Sequence, residues 1–355
     1  MSEHDQAEDL AQRIAEAARE GTPLRLQGGG TRGFLGRETG GTPLELSGHR
    51  GIVNYEPTEL ILTARAGTPL DEIEAALAEQ GQMMPFEPPR FGDGTTLGGA
   101  IATGLSGPRR PWAGAARDLV LGTRVVNGKG EYMRFGGEVM KNVAGYDVSR
   151  LVTGSYGTLG AILEVSMKVL PLPEAEASLT LATGEDEGFR AVEASYRDGV
   201  PVSGAAHDGS ALHVRLSGTR LAVDAGLQRL GGDRDEDPAA FWHALRDHRL
   251  AFFTADGPPL WRLSVPMLKG VPELPGERLA DWNGQLHWVR TDAPAADVFR
   301  EAARLGGHAT LFRGGDGHDE VFQPLPAPIR RLHEQVKAAF DPDGILNPGR
   351  LYAGL

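Results

Sequence analysis

Residues 24–36 read LRLQGGGTRGFLG, and Gly28, Gly30 and Gly33 within them spell G-x-G-x-x-G. In a dinucleotide-binding βαβ unit that spelling works because a strand enters it and a helix leaves it, so that the helix N-terminus faces the pyrophosphate. The entry fits, since residues 24–27 alternate apolar and polar like a short strand. The exit does not. GFLGRETGGTPLELS carries Gly33, Gly36, Gly40, Gly41 and Pro43 ahead of a second strand-like stretch at 44–47, and no helix persists through such a run. The sequence therefore predicts a glycine loop between two strands and not a Rossmann crossover. Taken alone, that loop is either an ordinary turn or a nest of successive N–H groups able to hold an anion.

Composition narrows the classes. A chain of 355 residues has room for about two domains. Its 49 glycines are about twice the usual share of roughly 7%; dispersed among apolar segments, they indicate tight turns and close backbone approaches, not collagen or disorder. With 36 Lys and Arg against 48 Asp and Glu the net charge is −12, and no basic stripe exists for nucleic acid. There is no cysteine, which excludes disulfides, thiolate nucleophiles and cysteine-ligated iron–sulfur clusters on this chain. No run approaches the roughly 18 apolar residues of a membrane span, and the acidic start MSEHDQAEDL is no signal peptide. The expected location is cytoplasmic.

Along the chain, α and β signals alternate. Residues 3–20 form an amphipathic helical pattern, residues 60–66 a strand, and TPLDEIEAALAEQG a helix with Thr68 as N-cap, Pro69 at N1 and Gly81 at C′. Residues 119–126 and 131–135 read as a hairpin around Asn127-Gly128, and 161–169 as a long half-buried strand. PLPEAEA, from Pro171, marks a domain boundary. Beyond it, ALHVRLSGTRLAVDAGLQRLGG (211–232) and QLHWVRTDAPAADVFREAARLGG (285–307) share the order strand, loop, helix, glycine pair; this is either coincidence or a second α+β domain built from two similar halves.

Several catalytic signatures are absent. No G-x-S-x-G elbow, H-E-x-x-H or helical i, i+4 histidine pair occurs, and Asn127-Gly-Lys129-Gly lacks the first Gly and the Ser/Thr of a P-loop.

Three more glycine stretches extend the first: DGTTLGGAIATGLSG (93–107), RPWAGAARDLVLG (110–122) and KNVAGYDVSRLVTGSYGTLGAILEV (141–165). In the order GGGTxxxG, TTLGGAIA, WAGxxRD, GYDxxRLxxGSYGTLGAI they resemble the FAD-binding domain of the vanillyl-alcohol oxidase (PCMH-type) flavoproteins over roughly residues 20–172. FDPDGILNPGRLY (340–352) resembles the segment with which relatives oxidising 2-hydroxy acids return to the flavin domain. Within the family the chain resembles FAD-binding subunits of bacterial glycolate oxidases, over nearly its full length.

The resemblance implies an α+β fold with a two-subdomain FAD-binding domain at 1–172, a smaller α+β cap domain at 173–325, and a C-terminal helix and returning segment at 326–355. It implies non-covalent FAD, because Thr31 stands where covalent members often carry the linking His. Gly28, Gly29, Gly30, Thr31, Arg32 and Gly33 would wrap the pyrophosphate. Thr95, Thr96, Gly98 and Gly99 would approach the ribityl and isoalloxazine side; Thr103, Trp112 and Gly114 would line the same cleft. Gly157, Thr158, Gly160 and Ile162 would lie near the ribose and adenine, with core packing the alternative for Trp112 and Ile162.

The departures concern catalysis. Relatives that oxidise hydroxy acids carry H-x-H and E-H-G patterns in the second domain; this chain has neither, and GGDGHDE (314–320) offers only His318. Tyr156 stands where many relatives have Glu. No catalytic acid or base is assigned. Arg262, Arg290 and Arg313 either grip a carboxylate or form a solvated sheet face. The resemblance thus implies oxidation of glycolate, a small 2-hydroxy acid, to glyoxylate in company. Partners would be a sister FAD subunit and a cysteine-rich iron–sulfur subunit, with peripheral membrane association through them. A self-sufficient flavin dehydrogenase and a flavin-loaded structural subunit are the alternatives.

Overall fold

The computed structural model describes residues 4–137, 147–315 and 320–355. The chain divides into two compact units: residues 1–105, 115–171 and 324–355 form the first, residues 106–114 and 172–323 the second.

In the first unit β1 (Leu24–Gln27) and β2 (Thr42–Glu45) pair in parallel on either side of the glycine loop. A five-stranded antiparallel sheet follows. Its strands are β3 (Ile52–Glu56), β4 (Ile61–Arg65), β6 (Val120–Val126), β7 (Tyr132–Gly136) and β8 (Ala161–Lys168), in the order β3-β4-β8-β6-β7. Short strands β5 (Gln82–Met83) and β9 (Leu170–Pro171) pair separately. The central strand β8 is not half-buried as its alternation suggests. Six of its eight residues are buried, because both faces of the sheet are covered. Ile162, Val165 and Met167 join a core with Leu70, Ile73 and Leu77 of the helix Leu70–Glu79 and Leu97 and Ile101 of the helix Leu97–Thr103. Ala161 and Leu163 join another with Leu10 and Ile14 of the helix Ala7–Glu20, Leu24, Leu44, Ile345 and Leu346.

Three local expectations change. The first helix begins at Ala7, not at residue 3: the Ala7 N–H is taken by Asp5 Oδ1 at 3.2 Å and the Gln6 N–H by His49 Nδ1 at 3.0 Å. Thr68 does not cap the second helix. Its hydroxyl donates to Arg65 O and accepts from the Gly51 N–H, while the Thr68 carbonyl and the Leu70 N–H pair with Leu97 and Thr95, leaving Pro69 at the N-cap. Tertiary pairing thus overrides the local cap. The β6–β7 turn spans residues 127–131, because Asn127 Oδ1 accepts from both Lys129 and Glu131 N–H groups.

The second unit is one eight-stranded antiparallel sheet covered on both faces: the helices Glu185–Arg197, Arg220–Leu230 and Ala295–Arg304 pack on one, while Trp242 of the helix Ala240–Arg246 meets Ser178 and Arg215, and Phe253 of the helix Ala251–Thr254 meets Trp288, on the other. Its strands are β10 (Ala175–Leu181), β11 (Val202–His207), β12 (Leu212–Gly218), β13 (Asp233–Arg234), β14 (Leu260–Ser264), β15 (Glu277–Asp281), β16 (Leu286–Arg290) and β17 (His308–Arg313). The order is β13-β10-β12-β11-β15-β16-β14-β17. The first four strands lie fourth-first-third-second; the last four show the same order read from the other end. The two resembling sequence stretches fall on equivalent elements: β12 with the helix Arg220–Leu230, and β16 with the helix Ala295–Arg304. The first half is a βαββαβ unit with its other helix at Glu185–Arg197; the second half has a loop between β14 and β15 where that helix would stand. Phe189, Val192 and Val223 pack on Val214 and Leu216, and Val298, Phe299 and Ala302 on Trp261, Leu263 and Val289. Among the described residues no helix is long and apolar enough to cross a membrane.

His49 gives the first unit a pH signature. Burial, reinforced by Arg65 and Arg124 and opposed by Asp5, lowers its pKa to about 4, whereas an unfolded histidine titrates near about 6.5. The neutral ring's contribution is complete above that value and is lost as pH falls from 6.5 towards 4, at about 1.4 kcal/mol per pH unit for one proton. Urea denaturation across this interval should show stability falling, and His49→Gln should make the slope shallower by about one proton's share.

Candidate functional site

β1 feeds the glycine loop into the wall of a cavity of about 250 Å³ in the first unit. Two glycine positions explain why the loop can form it. Gly30 sits at φ 73°, where an ordinary residue loses roughly 1–2 kcal/mol. At Gly29 a Cβ would run into the Gly94 carbonyl, so only a bare backbone lets these two loops meet. The opposing wall comes from Thr96, which caps the helix Leu97–Thr103 by accepting from the Gly99 N–H at 3.3 Å, and from Gly98, Gly99, Ala102 and Thr103. Gly160, Ala161 and Ile162 contribute the start of β8, and Tyr156 and Gly157 the turn before it.

The charge of this cavity is opposite to that of the chain. Arg25, Arg32 and Arg350 line it, and no carboxylate does so among the described residues. Arg32 is 8% exposed, and burial lowers its pKa to about 10. Nη2 donates to Pro89 O at 2.5 Å and the guanidinium lies over Phe91, but Nε and Nη1 have no partner among the described residues. A desolvated cation with idle donors is costly unless an anion meets it. Arg350 is spent on the loop itself, donating to Gly33 O at 2.9 Å and Arg37 O at 3.1 Å. A diphosphate fits this donor set: bare N–H groups at a glycine loop plus a buried guanidinium.

Of the residues singled out in the sequence, Gly28, Gly29, Gly30, Thr31, Arg32, Gly33, Thr96, Gly98, Gly99, Thr103, Gly157, Gly160 and Ile162 line the cavity. Thr95 and Thr158 stand behind it. The Thr95 hydroxyl meets Thr31 Oγ1 at 3.0 Å, and the Thr158 hydroxyl donates to Ser155 O at 2.7 Å. Trp112 and Gly114 belong to the second unit, where Trp112 packs against the core. The structure adds Arg25, Gln27, Tyr156, Asn347 and Arg350, among others. The spelling NPGR at 347–350 is the signal for the last two; their roles depend on contacts more than 300 positions away in sequence.

The second unit's arginines divide. Arg290 is buried and donates to the carbonyls of Phe252 and Phe253 in the helix Ala251–Thr254 and of Pro258 beyond it, so it anchors that helix and the following loop and is neither a carboxylate fork nor a solvated face. Arg262 lies over Trp282, with Arg110 over the same ring. Arg313 follows Phe312 at the end of β17. His318, and the beginning of the glycine stretch at 141–165, lie outside the described residues. Among the described residues no cluster of His, Asp or Glu has the makings of a metal site.

Comparison with known proteins places this geometry. A family profile described as "FAD binding domain" matches residues 3–136. The chain is 48% identical to glycolate oxidase subunit GlcE of Escherichia coli, across the whole of both chains. It is 25% identical to glycolate oxidase subunit GlcD of Bacillus subtilis, over 93% of this chain and 84% of that one. In fold alone it matches alkyldihydroxyacetonephosphate synthase, with a TM-score of 0.68 at 15% identity over 97% of this chain and 76% of the other. The matched segment supplies the glycine loop and the Thr96 wall of the arginine-lined cavity, and the chain belongs to the PCMH-type FAD-binding oxidoreductases, in the family of glycolate oxidase subunit GlcE.

Proposed function

We propose that this chain is the FAD-binding subunit of a complex that oxidises glycolate, a 2-hydroxy acid, to glyoxylate and passes the electrons to an iron–sulfur partner. The observation that carries the reading is full-length identity of 48% to a glycolate oxidase subunit; the arginine-lined cavity supports it with chemistry. Bound FAD supplies a two-electron acceptor for oxidation at a CH–OH carbon. The loop N–H groups of residues 28–32 and the Arg32 guanidinium would hold its diphosphate, with the Gly33 N–H closing the loop on Gly30 O, and Thr96, Gly98, Gly99 and Thr103 would flank the remainder. Thr31 has a hydroxyl, not an imidazole, so the cofactor is held without a covalent bond.

The partners follow from what this chain lacks. No His, Asp or Glu lines the cavity among the described residues, so neither an imidazole nor a carboxylate is in place there to take the hydroxy acid's proton. With no cysteine the chain ligates no ordinary iron–sulfur cluster. A sister flavoprotein bearing the acid–base groups and a cysteine-rich subunit would complete the path, with any membrane association arising through them. The test is anaerobic titration with glycolate while following the flavin spectrum: the isolated chain should stay oxidised and the assembled complex should bleach. Glycolate turnover by the isolated chain as fast as by the assembly would instead make it a self-sufficient dehydrogenase.

Two further outcomes are expected. Acid precipitation of the purified flavoprotein should leave the yellow colour in the supernatant; a pellet still yellow after washing would show a covalent link. Gly30→Val puts a β-branched residue at φ 73° and should raise the FAD dissociation constant at least about tenfold, the equivalent of roughly 1.4 kcal/mol, and so lower flavin occupancy. Gly184 has φ −71° and open space around it, so Gly184→Val should leave occupancy near wild type in the same absorbance assay.

A further inference from the structure

The C-terminal helix Ala327–Phe340 has fourteen residues and buries one side chain, which is a lysine. Lys337 Nζ meets three acceptors: Thr158 O at 2.8 Å, Asp341 Oδ2 at 2.6 Å and Leu346 O at 2.8 Å. Asp341, 1% exposed, also accepts the Ile345 N–H at 3.1 Å and the Leu346 N–H at 2.8 Å. The three ammonium protons and both carboxylate oxygens are therefore all in use. Such a pair adds little to stability compared with an apolar packing, but losing one partner strands the other in the interior.

What the pair holds is a segment that stitches the cavity together. Residues 345–347 run beside β1, with the Leu24 N–H donating to Ile345 O at 2.7 Å and the Asn347 N–H to Leu24 O at 2.9 Å. Asn347 Oδ1 accepts the Leu26 N–H at 2.8 Å, and its Nδ2 donates to Tyr156 O at 2.7 Å. β1 leads into Gly28 and Tyr156 leads into Gly157, so one asparagine side chain ties the two cavity-forming turns to each other. Tyr156 itself sits at φ 55°, a conformation that a residue with a side chain holds only when its surroundings fix it.

We propose that Lys337 and Asp341 form a latch that holds residues 345–347 against β1 and the 156–158 turn, so that docking of the C-terminal segment and retention of FAD are one linked equilibrium. The proposal rests on the reading of the cavity as the FAD site, since Asn347 and Arg350 line it. Lys337 and Asp341 do not line it and act as positioning residues. Linkage runs both ways: undocking weakens the flavin, and the flavin slows undocking.

Hydrogen exchange and flavin titration on the full chain test this. Lys337→Met should speed exchange at the Leu24, Leu26 and Asn347 amides and raise the FAD dissociation constant, each at least about tenfold, while amides of β8 stay protected. FAD added to wild type should slow the same three amides. Wild-type exchange rates in a folded Lys337→Met chain, or faster exchange with unchanged FAD affinity, would overturn the latch. If β8 loses protection as well, Asn347→Ala decides: it keeps the ion pair and removes two hydrogen bonds, so Leu26 exchange and FAD dissociation should each rise about fivefold or more, and wild-type values for both would overturn the proposal. A wild-type chain that takes up no FAD would sink the cofactor reading and the linkage with it, while the three amides would still show whether Lys337 docks the segment.

Discussion

The central strand β8 is the constraint on which the first unit rests. A strand buried on both faces must find apolar partners on each, and here one face binds the helices Leu70–Glu79 and Leu97–Thr103 and the other binds the N-terminal helix, β1, β2 and the C-terminal segment. Neither core forms without the strand they share. Its first residues, Ala161 and Ile162, together with Gly160, also wall the cavity. The hydrophobic effect that fixes β8 therefore sets the position of the site as well, and the glycine loop and the Thr96 turn are placed by elements that pack on opposite faces of a single strand.

The electrostatics show a local field prevailing over a global one. A net charge of −12 opposes anion binding at long range, but screening over about 8 Å confines that opposition at physiological salt. Within the cavity Arg25, Arg32 and Arg350 set the sign. Arg32 is the energetically exposed member: buried, with its pKa lowered to about 10 and two donors without partners among the described residues. A fold that holds a cation in this condition is organised for an occupant it does not itself contain.

Much of this was legible in the sequence, for a local reason. Glycine loops announce themselves where backbone must approach backbone, and the residues of GGGTRG, TTLGG and the turn before β8 are neighbours in sequence as well as in space. The limits were equally physical. Thr68 has the chemistry of an N-cap, yet pairing of residues 68–70 with 95–97 directs it elsewhere. The alternation of β8 reads as half-buried because a strand cannot announce a second covering layer. Asn347 and Arg350 reach the site through bonds to Leu26 and Gly33 across more than 300 positions, a separation over which periodicity and turn chemistry carry no information. The motif around them gave a place in the chain but no role.

The doubled sheet of the second unit has a mechanical consequence. β10 and β12 are laddered through seven residue pairs and β15 and β16 through five, whereas β11 and β15, where the halves join, share one, His207 opposite Ala280. Backbone pairing is thinnest at this join, and side chains reinforce it: Ala280 of β15 packs into the first half's core, and the Arg278 guanidinium donates twice to Glu185 of the helix Glu185–Arg197. Opening the sheet along that line would give up the fewest ladder pairs, but it must also break the Arg278–Glu185 ion pair and strip Ala280 from its core. Strands β11 and β15 would then be the fresh edges, the places where unpaired backbone first becomes available to another chain.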